Sequence, residues 1–143
     1  MHQDGQASVA VALRWRDLDH QGHVYHATML TLLDEARTEW LRAAVGVESP
    51  DEYVVARVEI DFLAETVRSN DRIDVTFDIT RVGSSSLTTT ELVRTPDGRD
   101  VVRAAVTAVM WDRVLRKPRP LTDAERHNAA AWSAVRRQEQ PHV

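Results

Sequence analysis

At 143 residues the chain falls in the range of roughly 100 to 200 that forms one domain, enough to bury a sizeable core. Its net charge of -4 and pI near 5.8, with basic residues scattered, lack the electrostatic footprint of a nucleic-acid binder. The absence of cysteine excludes disulfides, thiolate metal sites and cysteine nucleophiles.

The first eight residues, MHQDGQAS, are polar and lack the apolar core of a secretory signal. No later stretch approaches the roughly 20 apolar residues needed to cross a bilayer. The expectation is a cytoplasmic protein without a membrane or nucleic-acid partner. The densest basic run, Arg113 to Arg119, is short and reads as a solvated strand end.

In chain order, residues 8 to 16 alternate apolar and polar and predict a half-buried strand. Then WRDLDHQGHVYHATMLTLLDEAR, residues 15 to 37, crowds aspartates and histidines ahead of a helical pattern. From about Ala27 to Val45, Met29, Leu33, Ala36, Trp40 and Ala44 recur at spacings of three and four, and Leu30, Leu32 and Leu41 widen the stripe. The pattern predicts one long helix, largely wrapped by other structure and stopped near Gly46. YVVARVEIDFL, RIDVTFDITRV, SLTTTELVRT and DVVRAAVTAVMW, rich in Val, Ile and Thr, predict four strands. Ser69-Asn70-Asp71, Val82-Gly83-Ser84 and Pro96-Asp97-Gly98 are the turn signals expected if neighbouring strands form hairpins. Thr122 and Glu125 make a capping-box pattern that opens a second helix through about Arg137, anchored by Trp132. The fold class is α+β: an antiparallel sheet of five to six strands wrapped around a long central helix, with a C-terminal helix.

Three chemistries compete for the cluster. His20, His23 and His26 recur at every third residue beside Asp17 and Asp19, but such a period in a glycine-containing loop fixes no tetrahedral zinc geometry. Asp17-x-Asp19-x-x-Gly22 begins like a calcium loop, yet the twelfth position is Thr28 where a bidentate Glu is needed. The third possibility is a catalytic loop set against a helix start. Unpaired N–H groups and about half an elementary charge there suit a carbonyl oxygen turning into an oxyanion. Gly22 allows the tight turn, and Asp19 is the carboxylate free to fold back.

W-R-D-L-D-H-Q-G-H-V-Y-H-A followed by L-x-x-L-D-E-A-R resembles the signature of the hot-dog-fold acyl-CoA thioesterases of the 4-hydroxybenzoyl-CoA thioesterase type. The likeness runs on through V-A-R-V-E-I-D-F-L and R-V-G-S-S-S-L-T to R-K-P-R-P-L, roughly residues 9 to 126, so residues 1–143 are expected to form one such domain. The resemblance implies hydrolysis of an acyl-CoA or acyl-carrier thioester. It also implies a homodimer paired sheet edge to sheet edge, or two such dimers as a homotetramer, with active sites at the dimer interface. Asp19 matches the family's catalytic carboxylate, Tyr25 and His26 its following pair, and Asp17 a more structural aspartate. His26 stands where a backbone N–H faces the thioester carbonyl. Gly22, Val24, Arg81, Ser85 and Ser86 match positions near the substrate. Neither a metal nor a cofactor is expected.

An ordinary aspartate, with a pKa of about 3.9, is ionised at neutral pH, ready to attack the thioester carbon or to activate water. His26 could orient it, line the oxyanion site or assist the leaving thiolate. Glu35 lies nine residues beyond His26, about 13 Å along a helix, too far to serve the same carbonyl; Asp34 and Arg37 can pair at i,i+3. Thr28 and Met29 stand where the family commonly has Asn and an aromatic, which bears on the acyl pocket. Glu65-Thr66 stands where relatives often have proline, expected to alter only a bend. Two rivals remain: a non-catalytic acyl-thioester binder on the same scaffold, and a hot-dog dehydratase or hydratase, whose H-F-P-G or D-x-N-P-x-H runs are missing.

Overall fold

The computed structural model describes residues 8–19, 22–66 and 71–132. The predicted features at His20, Gln21, Ser69, Asn70 and residues 133–137 lie outside them. Strand β1 (Ser8–Ala12) is followed by a 3₁₀ turn, the helix α1 (His26–Trp40), and the strands β2 (Tyr53–Phe62), β3 (Arg72–Val82), β4 (Ser86–Arg94) and β5 (Asp100–Asp112). A two-residue strand, β6 (Lys117–Pro118), and the helix α2 (Asp123–Ala130) complete the described chain. The sheet is antiparallel with the order β1-β3-β4-β5-β2, and β6 adds to β5.

Alternation decides which face of each strand is buried. Ile73, Val75, Phe77 and Ile79 of β3 point inward, as do Leu87 and Val93 of β4 and Val102, Ala104, Val106, Ala108 and Met110 of β5. Across this face lies α1, which buries Met29, Leu32, Leu33, Ala36, Arg37 and Trp40 at spacings of three and four. Each large apolar side chain so buried contributes roughly 1.5 to 3 kcal/mol. Trp40 stacks on Phe77 with ring centroids 4.9 Å apart and meets Trp132 edge-on at 6.2 Å. The capping box of α2 forms as predicted: Glu125 N–H donates to Thr122 Oγ1, and Thr122 N–H donates to Glu125 Oε1, both at 3.0 Å.

Five details differ from the sequence-based expectation. The second helix, expected through about Arg137, ends at Ala130. The first strand is shorter, ending at Ala12. The long helix changes pitch: after Trp40 it continues as a π-helical turn, Leu41–Val45, closed by Gly46 at φ 95°. Leu30 is exposed, because its side of α1 faces an open groove against Val55 and Val58 of β2. Finally, β2 does not form a hairpin with β3; it crosses to the far side and pairs with β5, while β1 takes the place beside β3. This leaves β2 an edge strand whose Val54, Val55, Val58 and Phe62 are exposed.

One inward position is charged. Glu91 sits among the apolar residues of β4 and receives Arg37 Nε at 2.6 Å and Nη2 at 2.9 Å, while Arg37 Nη1 donates to Asp34 at 2.9 Å, the i,i+3 pairing expected. Burial works against the charge on Arg37, but Glu91 and Asp34 outweigh it and raise its pKa above the ordinary value. Removing one partner of such a pair strands the other charge in the core, at a cost of about 3 to 5 kcal/mol. Arg37→Met should therefore lower the urea midpoint strongly, and adding Glu91→Leu should recover much of the loss. A single substitution as stable as the parent would show that the pair does not hold helix to sheet.

Candidate active site

The loop before α1 is a small hairpin closed by pairing of Leu18 with Val24. Within it Asp19 N–H donates to the His23 carbonyl at 2.7 Å and Gly22 N–H donates to the Asp19 carbonyl at 3.0 Å. Gly22 has φ 81°, the left-handed region that favours glycine. His23 N–H donates to Asp19 Oδ1 at 3.1 Å, so the turn itself orients the carboxylate. Asp17 is different: it is buried, and its carboxylate accepts from Arg14 N–H at 2.7 Å and Nε at 3.2 Å. It braces the turn from below.

Tyr25, in an extended conformation, is the N-cap of α1, and its side chain makes no capping hydrogen bond. The first-turn N–H groups keep their capacity to donate, at the end where the helix dipole is positive. The rings of Tyr25 and His26 lie 4.2 Å apart, and His26 meets Phe62 edge-on at 6.4 Å. From the opposite side comes the segment after β2. Val24 N–H donates to the Thr66 carbonyl at 2.8 Å, and His23 Nε2 lies 2.6 Å from Glu65 Oε1.

Between these walls lies a cleft of about 520 Å³, lined by Asp19, His23, Val24, Tyr25, His26, Met29, Phe62, Leu63, Ala64, Glu65, Thr66 and Val102. It places a carboxylate-bearing residue, a helix start and an apolar wall around one space. Asp19, Val24, Tyr25 and His26 come together there, and Gly22 turns the loop that carries Asp19. Arg81, Ser85 and Ser86 do not join them within the chain. They sit at the β3–β4 turn, level with Val109 on β5, whereas the cleft is level with Val102; seven residues of strand separate the two, roughly 24 Å. Glu35 points elsewhere, paired with Arg14 Nη2 at 3.2 Å.

Sequence reasoning did not assign the cleft residues His23, Phe62, Leu63, Glu65 and Thr66. Glu65-Thr66 does more than alter a bend, since both residues bond to the loop that carries Asp19. The signal was present as the departure from proline at that point, because proline has no carboxylate to meet His23, although its carbonyl could still accept as that of Thr66 does. Among the described residues no three His, Cys, Asp or Glu side chains gather as a metal site.

A family model, the thioesterase superfamily, matches residues 21–102, more than half of the chain. The chain belongs to the thioesterase superfamily. The match begins inside the turn, beyond Asp19, and runs through α1, β2, β3 and β4 to the start of β5. Over 117 residues the chain is 29% identical to the acyl-CoA thioester hydrolase YbgC of Escherichia coli, covering 78% of this chain and 86% of that one. A Thermus thermophilus thioesterase crystallised with coenzyme A and Zn shares 29% identity at a TM-score of 0.74, over 94% of this chain and 96% of that one. A 1,4-dihydroxy-2-naphthoyl-CoA thioesterase from Synechocystis, 21% identical with a TM-score of 0.71 over 88% and 96% of the two chains, shares the fold.

For this superfamily member, Gly22 offers a test of the loop. A Cβ at Gly22 meets nothing within 4 Å, so its cost is purely conformational. Gly22→Ala should destabilise by about 1 kcal/mol, and Gly22→Asn by less, since asparagine tolerates the left-handed region. Urea unfolding of both variants checks this; equal stability of Ala and Gly would mean the turn has another conformation.

Proposed function

We propose that this protein hydrolyses an acyl-CoA thioester to the free acid and the thiol, with Asp19 as the catalytic carboxylate. One observation carries the proposal: a single cleft is lined by Asp19 and by the start of α1, where Tyr25 makes no capping bond. A thioester carbonyl whose oxygen points at the N–H groups near His26 exposes its carbon toward the Asp19 loop. As the tetrahedral oxyanion develops, N–H donors already in position stabilise it without reorganisation, an effect of about 3 to 4 kcal/mol per well-placed donor. Asp19 either adds to the carbonyl carbon, to be released by water, or draws a proton from the water that adds. In both routes the C–S bond breaks, the thiolate leaves with one proton, and the acyl group gains the hydroxyl of water. His26 lies beside the developing charge and can supply the proton to sulfur. The name of the YbgC relative supports the acyl-CoA substrate.

The assembly proposed is a homodimer formed through β2. Its unpaired edge and exposed Val54, Val55 and Val58 form a surface that an antiparallel copy of itself would pair and cover. Such pairing sets the Tyr53 end of one β2 beside the Phe62 end of the other. The β3–β4 turn of the second copy, with Arg81, Ser85 and Ser86, would then come within about three strand spacings, roughly 14 Å, of the first cleft. That is where the coenzyme A phosphates would run, and a guanidinium with two hydroxyls would suit them.

Thiol release from aromatic, short-chain and long-chain acyl-CoAs tests the proposal, comparing the parent with Asp19→Asn. With no cysteine in the chain, a thiol-reactive dye sees coenzyme A alone. The parent should release thiol and the variant should lose at least about 10²-fold in kcat, some 2.7 kcal/mol of barrier. If no acyl-CoA is cleaved although one binds, the protein is a thioester-binding protein.

A further inference from the structure

We infer that Glu65 is a positioning residue for the hydrolysis: through His23 it clasps the Asp19 loop to the wall of the cleft and sets the aim of the catalytic carboxylate. The inference rests on the hydrolase function proposed above and names a contact that reaches the reacting group only through another residue.

Gly22, at φ 81°, gives the turn that carries Asp19 backbone freedom, and the carboxylate is aimed by the backbone N–H of His23 at 3.1 Å. A contact that holds His23 therefore helps to hold Asp19. Two bonds do so from the same segment: Val24 N–H to the Thr66 carbonyl at 2.8 Å, and His23 Nε2 to Glu65 Oε1 at 2.6 Å. Glu65 is itself held, because the Leu63 and Ala64 N–H groups donate to the Val101 carbonyl at 2.8 and 3.3 Å and Arg99 Nη2 donates to the Glu65 carbonyl at 3.4 Å. The clasp thus links the loop to the start of β5.

Both clasp side chains are partly exposed, 35% for His23 and 52% for Glu65. A pair in that setting adds little to global stability. Its effect belongs to the loop: when the clasp opens, the population of loop with Asp19 correctly aimed falls, and a misplaced catalytic group loses rate steeply. The consequence is a fall in kcat without a matching change in substrate affinity.

The experiment measures kcat and KM separately for Glu65→Ala, Glu65→Gln, His23→Ala and the double alanine variant, on an acyl-CoA that the parent cleaves. Glu65→Ala should lower kcat about fivefold with KM within about twofold, and the double variant should lose no more than His23→Ala alone. Glu65→Gln, whose carbonyl still accepts from Nε2–H, should recover part of the loss. Amide exchange provides a second readout that needs no turnover: in Glu65→Ala the His23 and Val24 N–H groups should exchange faster while the protected core of α1 is unchanged.

Parental kcat in Glu65→Ala, or a change in KM alone, overturns the clasp while leaving Asp19 catalytic. Unchanged exchange at His23 and Val24 overturns it too. If the parent cleaves no thioester, the proposed function fails separately, and the exchange measurement still decides whether Glu65 holds the loop.

Discussion

Arg37 reaches from α1 to Glu91 on β4, the middle strand of the sheet, through two hydrogen bonds of 2.6 and 2.9 Å. A guanidinium and a carboxylate in a water-excluded core tolerate no other arrangement, because displacing the helix by one turn would leave both charges unpaired. Apolar packing alone permits neighbouring registers at modest cost; the ion pair selects one. His26 stands eleven residues before Arg37, about 16 Å along the axis. Fixing Arg37 therefore fixes where the helix begins, and the cleft is built around that beginning.

The remaining walls follow from the crossing of β2 to the far edge. Because β2 pairs with β5 through Phe62 and Val102, the chain leaving β2 passes the start of α1 before turning toward β3. That passage brings Leu63, Ala64, Glu65 and Thr66 against the Asp19 loop. The same crossing leaves an apolar strand edge without a neighbour. Site and candidate interface are thus two results of one topological choice, and Phe62 belongs to both.

Much of this was legible in the residues. Richness in Val, Ile and Thr between turn signals located β3, β4 and β5 closely, and three- and four-residue spacing located α1, because that spacing reports a face that must be buried. The Asp-x-Asp-x-x-Gly turn ahead of a helix start singled out Asp19, and the family resemblance added Tyr25 and His26; the three line one cleft. The order of strands was less visible: the β2–β3 connection has the same turn-forming residues as a hairpin, and only the competition for the place beside β3 sends β2 across. Leu30 looked like a core residue because helical spacing does not say which apolar face a neighbour covers. The His23–Glu65 contact spans 42 positions, so no local pattern could indicate it. Nor did spacing indicate that Glu91, in an inward register of β4, would be the partner of Arg37.

In the hydrolysis proposed for this chain, Asp19 acts on the reacting carbonyl and does not serve merely to bind the substrate or shape the loop. Asparagine can still accept the His23 N–H through its Oδ1, so Asp19→Asn keeps the turn while removing the charge. Calorimetric titration of the parent and this variant with a non-hydrolysable thioether analogue of the acyl-CoA best cleaved by the parent separates binding from chemistry. The dissociation constants should lie within about threefold of each other while thiol release by the variant falls at least about 10²-fold. A loss of affinity as large as the loss of rate would contradict that role, and would make Asp19 a binding residue.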